Sequence, residues 1–237
     1  MQRTTVHLTT DSGSLTLHPR ALICAAGSGN EALLAQLDLT SAIPMQRRPL
    51  HMTVARLSEP GSSAESGGLP LLFAHCVSLS DKPRATITTP IDALGRPVWL
   101  IGGQLAETGT TRSPHDQIAA TKAELTKILP WLDLTRLEFT TFRIDRAEGA
   151  HPDSRRPDTP VVRREGSVIA CWPTKLVLAP LAAAEILTHL RALGLAPLPP
   201  DDAAISPSAL PCAHFPFSIC PPGLAAPPWD REDALWH

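Results

Sequence analysis

Tyrosine is absent from the 237 residues, Trp and Phe number only five each, and the charges nearly cancel at 21 Lys+Arg against 23 Asp+Glu. A nucleic-acid binder needs a basic face interleaved with stacking rings, so that class is excluded. No run is apolar enough to cross a bilayer, since Leu176 to Leu187, the longest candidate, is interrupted by Pro180 and Glu185 and falls short of the roughly 20 residues required. Basic amphipathic segments that would hold a membrane surface are also missing. The opening MQRTTVHLTTDSG has one basic residue and no apolar core, which is not the pattern of a secretory leader, and a cytoplasmic location is expected. Five Cys at 24, 76, 171, 212 and 220 contain no CxxC pair and are odd in number, the pattern of reduced thiols. There is no GxSxG elbow and no Walker A loop, so serine hydrolase and NTPase chemistry lack support. Hydrophobic residues at 43% are ordinary for a globular chain.

Several elements are legible. Residues 3–9 and 14–17 are β-rich runs around Asp11-Ser12-Gly13 and predict a hairpin. The apolar run 21–27, ending in small residues, predicts a buried parallel strand that meets a tight turn, followed by a helix with Leu33, Leu34 and Leu37 as its stripe. After Pro44, segments 49–57, 71–79, 84–89 and 97–102, with the Gly/Ser-rich loop 58–68 between the first two, predict an antiparallel sheet. Ser113-Pro114-His115-Asp116 is a strong helix start, with Ile118, Leu125 and Leu129 on one face and Pro130 as the stop. Residues 135–145 predict another strand, and 168–171 a second buried one. A turn at 172–174 and a helix to Leu193 follow, with Ala183, Ile186, Leu187 and Leu190 inward and Gly194 as the stop. From Ala196 onward ten of 42 residues are Pro, a density that permits only extended chain. Within that tail Cys212, His214 and Cys220 match no common zinc spacing and lack an evident fourth ligand, so no metal site is expected.

Five stretches, LICAAG at 22–27, QRRPL at 46–50, WLIGGQLAETG at 99–109, RRPDTP at 155–160 and ACWPTKLVLAPLAAAEI at 170–186, occur in the order in which FAD-dependent oxidoreductases of the D-amino-acid oxidase type carry similar ones. The chain thus resembles the C-terminal two-thirds of that family. The family's GxGxxG turn, which places a pyrophosphate on a helix N-terminus, has no counterpart: Gly27/Gly29, Gly67/Gly68 and Gly102/Gly103 lack its spacing. An N-terminally truncated member is the expectation.

The resemblance implies a mixed α+β and α/β architecture, in which an incomplete FAD-binding α/β layer accompanies an antiparallel substrate-domain sheet. Residues 1–45 would be the remainder of the FAD-binding domain, 46–148 the substrate sheet with one helix, 149–195 the return to the FAD-binding domain, and 196–237 the Pro-rich tail. It implies FAD as cofactor and hydride transfer from a small acidic amine or hydroxy substrate, with no dedicated catalytic base. Arg156 would fork onto the substrate's acidic group, with Arg155 as its competitor. Arg48 and His51 lie where the chain enters the sheet and are further substrate-side candidates, although a lone His is more often structural. Ala26 and Gly27 would approach the flavin, or Gly27 would simply make a turn. Trp172, Pro173, Thr174, Lys175 and Leu176 would precede a helix N-terminus facing the flavin's pyrimidine end, unless Thr174 is only a helix cap. Where members with amine substrates carry a Gly-His-Gly-like turn, this chain has Cys-Trp-Pro-Thr-Lys, which leaves amine and hydroxyl both open. Gln104 and Glu107 would shape a pocket or end a strand, and Arg143, Asp145, Arg146 and Glu148 would form ion pairs on one strand and its flanking loop. The rival readings are an inactive fragment and a non-catalytic partner or ligand-binding subunit.

Overall fold

The computed structural model describes residues 4–10, 13–58, 68–79, 82–196 and 225–237. Most of the predicted loop 58–68, the Asp11-Ser12 tip, the Cys212, His214 and Cys220 set and much of the tail lie outside the described residues. The architecture is mixed α+β, with one small and two larger sheets and four α-helices among the described residues. Two compact units are present: the first draws on Met1–Arg48 and Ala147–Gly223, the second on Pro49–Arg146 and Leu224–His237.

In the first unit, β1 (Val6–Thr10) and β2 (Gly13–Leu17) form the predicted antiparallel hairpin, closing at Thr10 opposite Gly13. The main sheet has the order β3 (Leu22–Cys24), β10 (Val168–Trp172), β9 (Val161–Glu165). β3 runs parallel to β10, with Ala170 opposite Cys24, and β9 runs antiparallel on the other side. All five residues of β10 are buried. Its alternate side chains explain why: Val168, Ala170 and Trp172 pack with Cys24, Leu34 and Ile43 on one face, whereas Ile169 and Cys171 pack with Ala182 on the other. A central strand covered on both faces reads as a continuous apolar run.

Three expectations need correction here. The run 21–27 contributes only three strand residues, and as an edge strand it buries Cys24 while leaving Ile23 43% exposed. α1 (Asn30–Gln36) points Leu34 inward, with Leu37 just beyond it partly buried, and leaves Leu33 exposed. α4 (Ala179–Ala192) begins only after a 3-10 turn at Leu176–Leu178 and buries Ala182, with Ile186 and Leu190 beside it; Ala183 and Leu187 are exposed. Ala182, Ile186 and Leu190 recur every four residues and so share one face. Alanine and leucine on both that face and its neighbour leave little phase in the sequence to choose between them. The helix stops where predicted, with Gly194 at φ +72° and Leu195 N–H donating to Leu190 O.

The second unit is a five-stranded sheet in the order β5 (Ala74–Cys76), β6 (Ala85–Thr88), β7 (Trp99–Gly102), β4 (Met45–Leu57), β8 (Leu137–Gly149). The unit boundaries fall inside β4 and β8. β5 with β6, β6 with β7 and β7 with β4 pair antiparallel. The core joins Ala55, Ile87, Trp99, Ile101 and Phe139 to Ile118 and Leu125 of α3 (Pro114–Ile128). The predicted start of α3 is realised: Ser113 Oγ accepts from Asp116 N–H at 3.1 Å, and Pro114 occupies the first turn. Between β7 and the short helix α2 (Gln104–Thr108), Gly103 has φ +77° and ψ −153°. A Cβ there would lie 2.9 Å from Thr86 N and 3.0 Å from Ala85 C, so both conformation and space demand glycine.

Residues 225–237 belong to this unit and are docked. Phe139 and His237 exchange both backbone hydrogen bonds at 2.8 Å, the Asp230 carboxylate accepts from Ala93 N–H at 3.1 Å, and the Arg56 guanidinium, paired with Glu138, stands 3.7 Å over the Trp236 ring. Among the described residues no helix is long and apolar enough to cross a membrane.

Gly103→Ala is expected to lower the unfolding free energy by about 2 kcal/mol or more, because strain and backbone overlap act together. Urea denaturation checks this, and an unchanged midpoint would show that the turn relaxes.

Candidate functional site

In the first unit the parallel strands β3 and β10 end side by side, and each feeds a turn and then a helix. Ligands of open parallel sheets bind outside the carboxyl ends of such strands. Both groups of sequence-predicted cofactor residues lie here: Ala26 and Gly27 after β3, and Trp172 as the last residue of β10 with Pro173 to Leu176 after it. Gly27 begins a 3-10 turn at φ +58°, exposed, with nothing within 4 Å of where a Cβ would stand. Open space and left-handed backbone together let a flat group approach the main chain closely.

Two side chains tie the strand ends together. Trp172, fully buried, donates its indole N–H to Gly27 O at 3.2 Å. Asn30, also fully buried, accepts from Ala26 N–H at 2.8 Å and donates to Cys171 O at 3.2 Å. The sequence reading missed Asn30. Its only signal was an amide residue at the start of a helix after a Gly-Ser-Gly turn, where Asn favours local backbone bonds.

The turn after β10 differs from expectation. No α-helix begins directly beyond it, and Thr174 caps nothing: its hydroxyl donates to Pro173 O at 2.6 Å, and its backbone stands at φ +60°. Because the 3-10 turn Leu176–Leu178 intervenes, the N-terminal amides of α4 lie further along the chain than the predicted dipole contact requires. Lys175 and Leu176 are exposed, the latter at 90%.

Arg156 joins this cluster, half-buried, with Nη2 donating to Thr174 O at 3.2 Å. Its competitor Arg155 is exposed and offers its backbone carbonyl to Gln46 Nε2 at 2.8 Å. The other substrate-side candidates lie elsewhere. Arg48 is engaged by Glu148, 1% exposed, through Nε to Oε2 at 2.9 Å and Nη2 to Oε1 at 3.4 Å. His51 lies in the second unit's interior, its Nδ1 at 2.9 Å from Gly109 O. Burial holds the His51 pKa below the ordinary imidazole value; the Gly109 carbonyl opposes this, and the charges of Arg143 and Arg112 reinforce it.

Glu107 accepts from Lys82 at 2.5 Å and from Arg146 at 2.9 Å, so this acid is spent on ion pairs. Arg143 donates to the backbone carbonyls of Thr110 and Arg112. Arg143, Arg146 and Glu148 of β8 thus bond partners on other elements, where ion pairs on one strand and its flanking loop are the expectation. Burial pushes the free thiols of Cys24 and Cys171 above the ordinary cysteine value. Among the described residues no group of three or more His, Cys, Asp or Glu side chains could hold a metal ion.

No family model matches the chain. It is 40% identical over 182 residues to a probable FAD-dependent oxidoreductase of Pseudomonas aeruginosa, a match that takes in 76% of this chain and 44% of that protein. The crystal structure of that oxidoreductase superposes with a TM-score of 0.68 at 36% identity, covering 82% of this chain and 53% of the other. The chain therefore spans about half the length of the relative it matches, and over three quarters of its own length it is homologous to an FAD-dependent oxidoreductase.

Asn30→Ala should cost about 2 kcal/mol, because it leaves the buried Cys171 carbonyl without its Asn30 partner and removes the bond to the Ala26 N–H. Asn30→Asp should be no milder, since a carboxylate cannot donate to Cys171 O; urea denaturation of both checks this, and a loss under about 0.5 kcal/mol would contradict it. For His51 the folded pKa lies below the unfolded value of 6.5. The unfolded chain then binds the extra proton, so stability is complete above about pH 6.5 and declines as the pH falls below it. His51→Gln should flatten that slope, and an equally steep decline in the variant would contradict the assignment.

Proposed function

We propose that this chain forms the flavin-facing turns and the substrate sheet of a cytoplasmic FAD-dependent oxidoreductase of the D-amino-acid oxidase type, acting on a small acidic amine or hydroxy compound. The observation that carries the reading is the mouth between the ends of β3 and β10, in a chain homologous to an FAD-dependent oxidoreductase.

The residues fit one end of the cofactor. Gly27 leaves space for a planar group; in this reading Ala26, Pro173, Thr174, Lys175 and Leu176 flank that group, and the buried Trp172 holds Gly27 O from behind. The phosphate end has no GxGxxG cradle in this sequence, and in this reading it is supplied from outside these residues. When bound, FAD supplies the hydride acceptor. The chain's own part is orientation and electrostatics: Arg156, beside the mouth, holds the substrate's acidic group, whereas Arg48 serves Glu148 and His51 serves the core. No side chain is assigned as a base.

A second reading, a non-catalytic partner subunit or fragment, draws on the same missing cradle and on the exposed Ile23, Leu176, Val177 and Leu181 of the first unit, at 43%, 90%, 77% and 58%. Such side chains are what a completing polypeptide covers.

Desalting after incubation with FAD, followed by a visible absorbance spectrum, tests the proposal. The chain alone should emerge nearly colourless, and co-expression with the part of the Pseudomonas protein that it does not match should yield a yellow complex. Full flavin bands on the chain alone would refute the external phosphate unit. A colourless co-expressed complex would refute the flavin site and leave the partner-subunit reading.

A further inference from the structure

The segment after β10 contains a backbone that its sequence does not favour. Lys175 N–H donates to Pro173 O at 2.7 Å across Thr174, whose φ is +60°. A bond from residue i+2 back to residue i with a positive central φ is a γ-turn of the rare, strained hand. A β-branched residue is the least suited to it, because its Cβ substituents crowd the carbonyl in left-handed space. Such a conformation persists only where surrounding contacts over-determine it. Three contacts are visible. The Thr174 hydroxyl and the Lys175 amide both bond Pro173 O, and both are local. The third comes from 18 residues away, where Arg156 Nη2 donates to Thr174 O at 3.2 Å.

We infer that Arg156, besides the substrate contact proposed for it, is through its Nη2 a positioning residue that holds the Pro173–Lys175 turn in its strained form and so sets the surface presented at the mouth between β3 and β10. This role deepens the proposed function and rests on that reading of the mouth. The consequence is geometric. Leu176 and Val177, exposed at 90% and 77%, follow the turn, so their placement depends on the Thr174 carbonyl being held. A charged donor to a backbone carbonyl is among the stronger single hydrogen bonds, and its loss would let Thr174 return to ordinary right-handed or extended backbone.

Amide hydrogen exchange on the full chain tests this, because the Lys175 and Leu178 amides bond Pro173 O and Lys175 O in the held form. Arg156→Ala should speed exchange at Lys175 and Leu178 by about tenfold while leaving Val168–Trp172 unchanged. Arg156→Lys, which keeps one donor and the charge, should fall between wild type and Arg156→Ala. Thr174→Gly removes the left-handed penalty, so adding Arg156→Ala to it should change exchange by less than about twofold. Wild-type exchange at Lys175 and Leu178 in Arg156→Ala would overturn the inference, as would equal acceleration throughout β10, which signals general loosening. The readout needs no flavin: failure of the chain and its complement to bind FAD would refute the proposed function, while exchange alone decides the role of Arg156.

Discussion

The buried amide of Asn30 is the constraint on which the candidate site depends. β3 supplies only three strand residues and sits at a sheet edge, so its pairing with β10 alone is a weak hold on the chain beyond Cys24. Asn30 extends that hold past the strand ends. Its oxygen takes the Ala26 amide and its nitrogen reaches the Cys171 carbonyl, and inside a protein an amide satisfied at both ends is costly to break. The indole of Trp172 adds a second tie to Gly27 O. With both in place, a left-handed glycine follows one strand end and a strained threonine follows the other.

The sheet behind the mouth explains why the ties hold. β10 is covered on both faces, by the α1 side through Ala170 and Trp172 and by α4 through Ile169 and Cys171. A strand buried on both sides is a fixed reference, and the turns at its carboxyl end inherit its position. The second unit is built differently, with Trp99, Ile101 and Phe139 of its sheet packed against Ile118 and Leu125 of α3. Its polar interior, including His51 bonded to Gly109 and Gln117 bonded to His51 O at 2.9 Å, stabilises that packing.

Much of this was legible in the sequence wherever a local rule decided the outcome. The Ser113 cap, the hairpin, the apolar run of β10 and Gly194 each follow from chemistry within a few residues. Other features needed the third dimension. β9, Val161–Glu165, was not anticipated, because VVRRE buries only its first two residues and its hairpin signal rested on Gly166 alone, at φ +57°. On α4 the expectation holds for Ile186 and Leu190 and fails for Ala183 and Leu187, because alanine and leucine occur on both neighbouring faces of that helix. Asn30 was missed because a polar residue beside Gly-Ser-Gly resembles surface. The pairing of Arg48 with Glu148, 100 residues away and buried against it, is likewise invisible in the sequence.

The most direct test of the central claim is a titration of the chain with riboflavin, the flavin ring without its pyrophosphate, followed by amide proton–nitrogen NMR. The account predicts shifts at Gly27, Asn30 and Lys175, the amides at the two strand ends, with β5 and β6 of the second unit unmoved. Shifts confined to the second unit, or none at concentrations where unrelated proteins also show none, would contradict a flavin-facing mouth between β3 and β10.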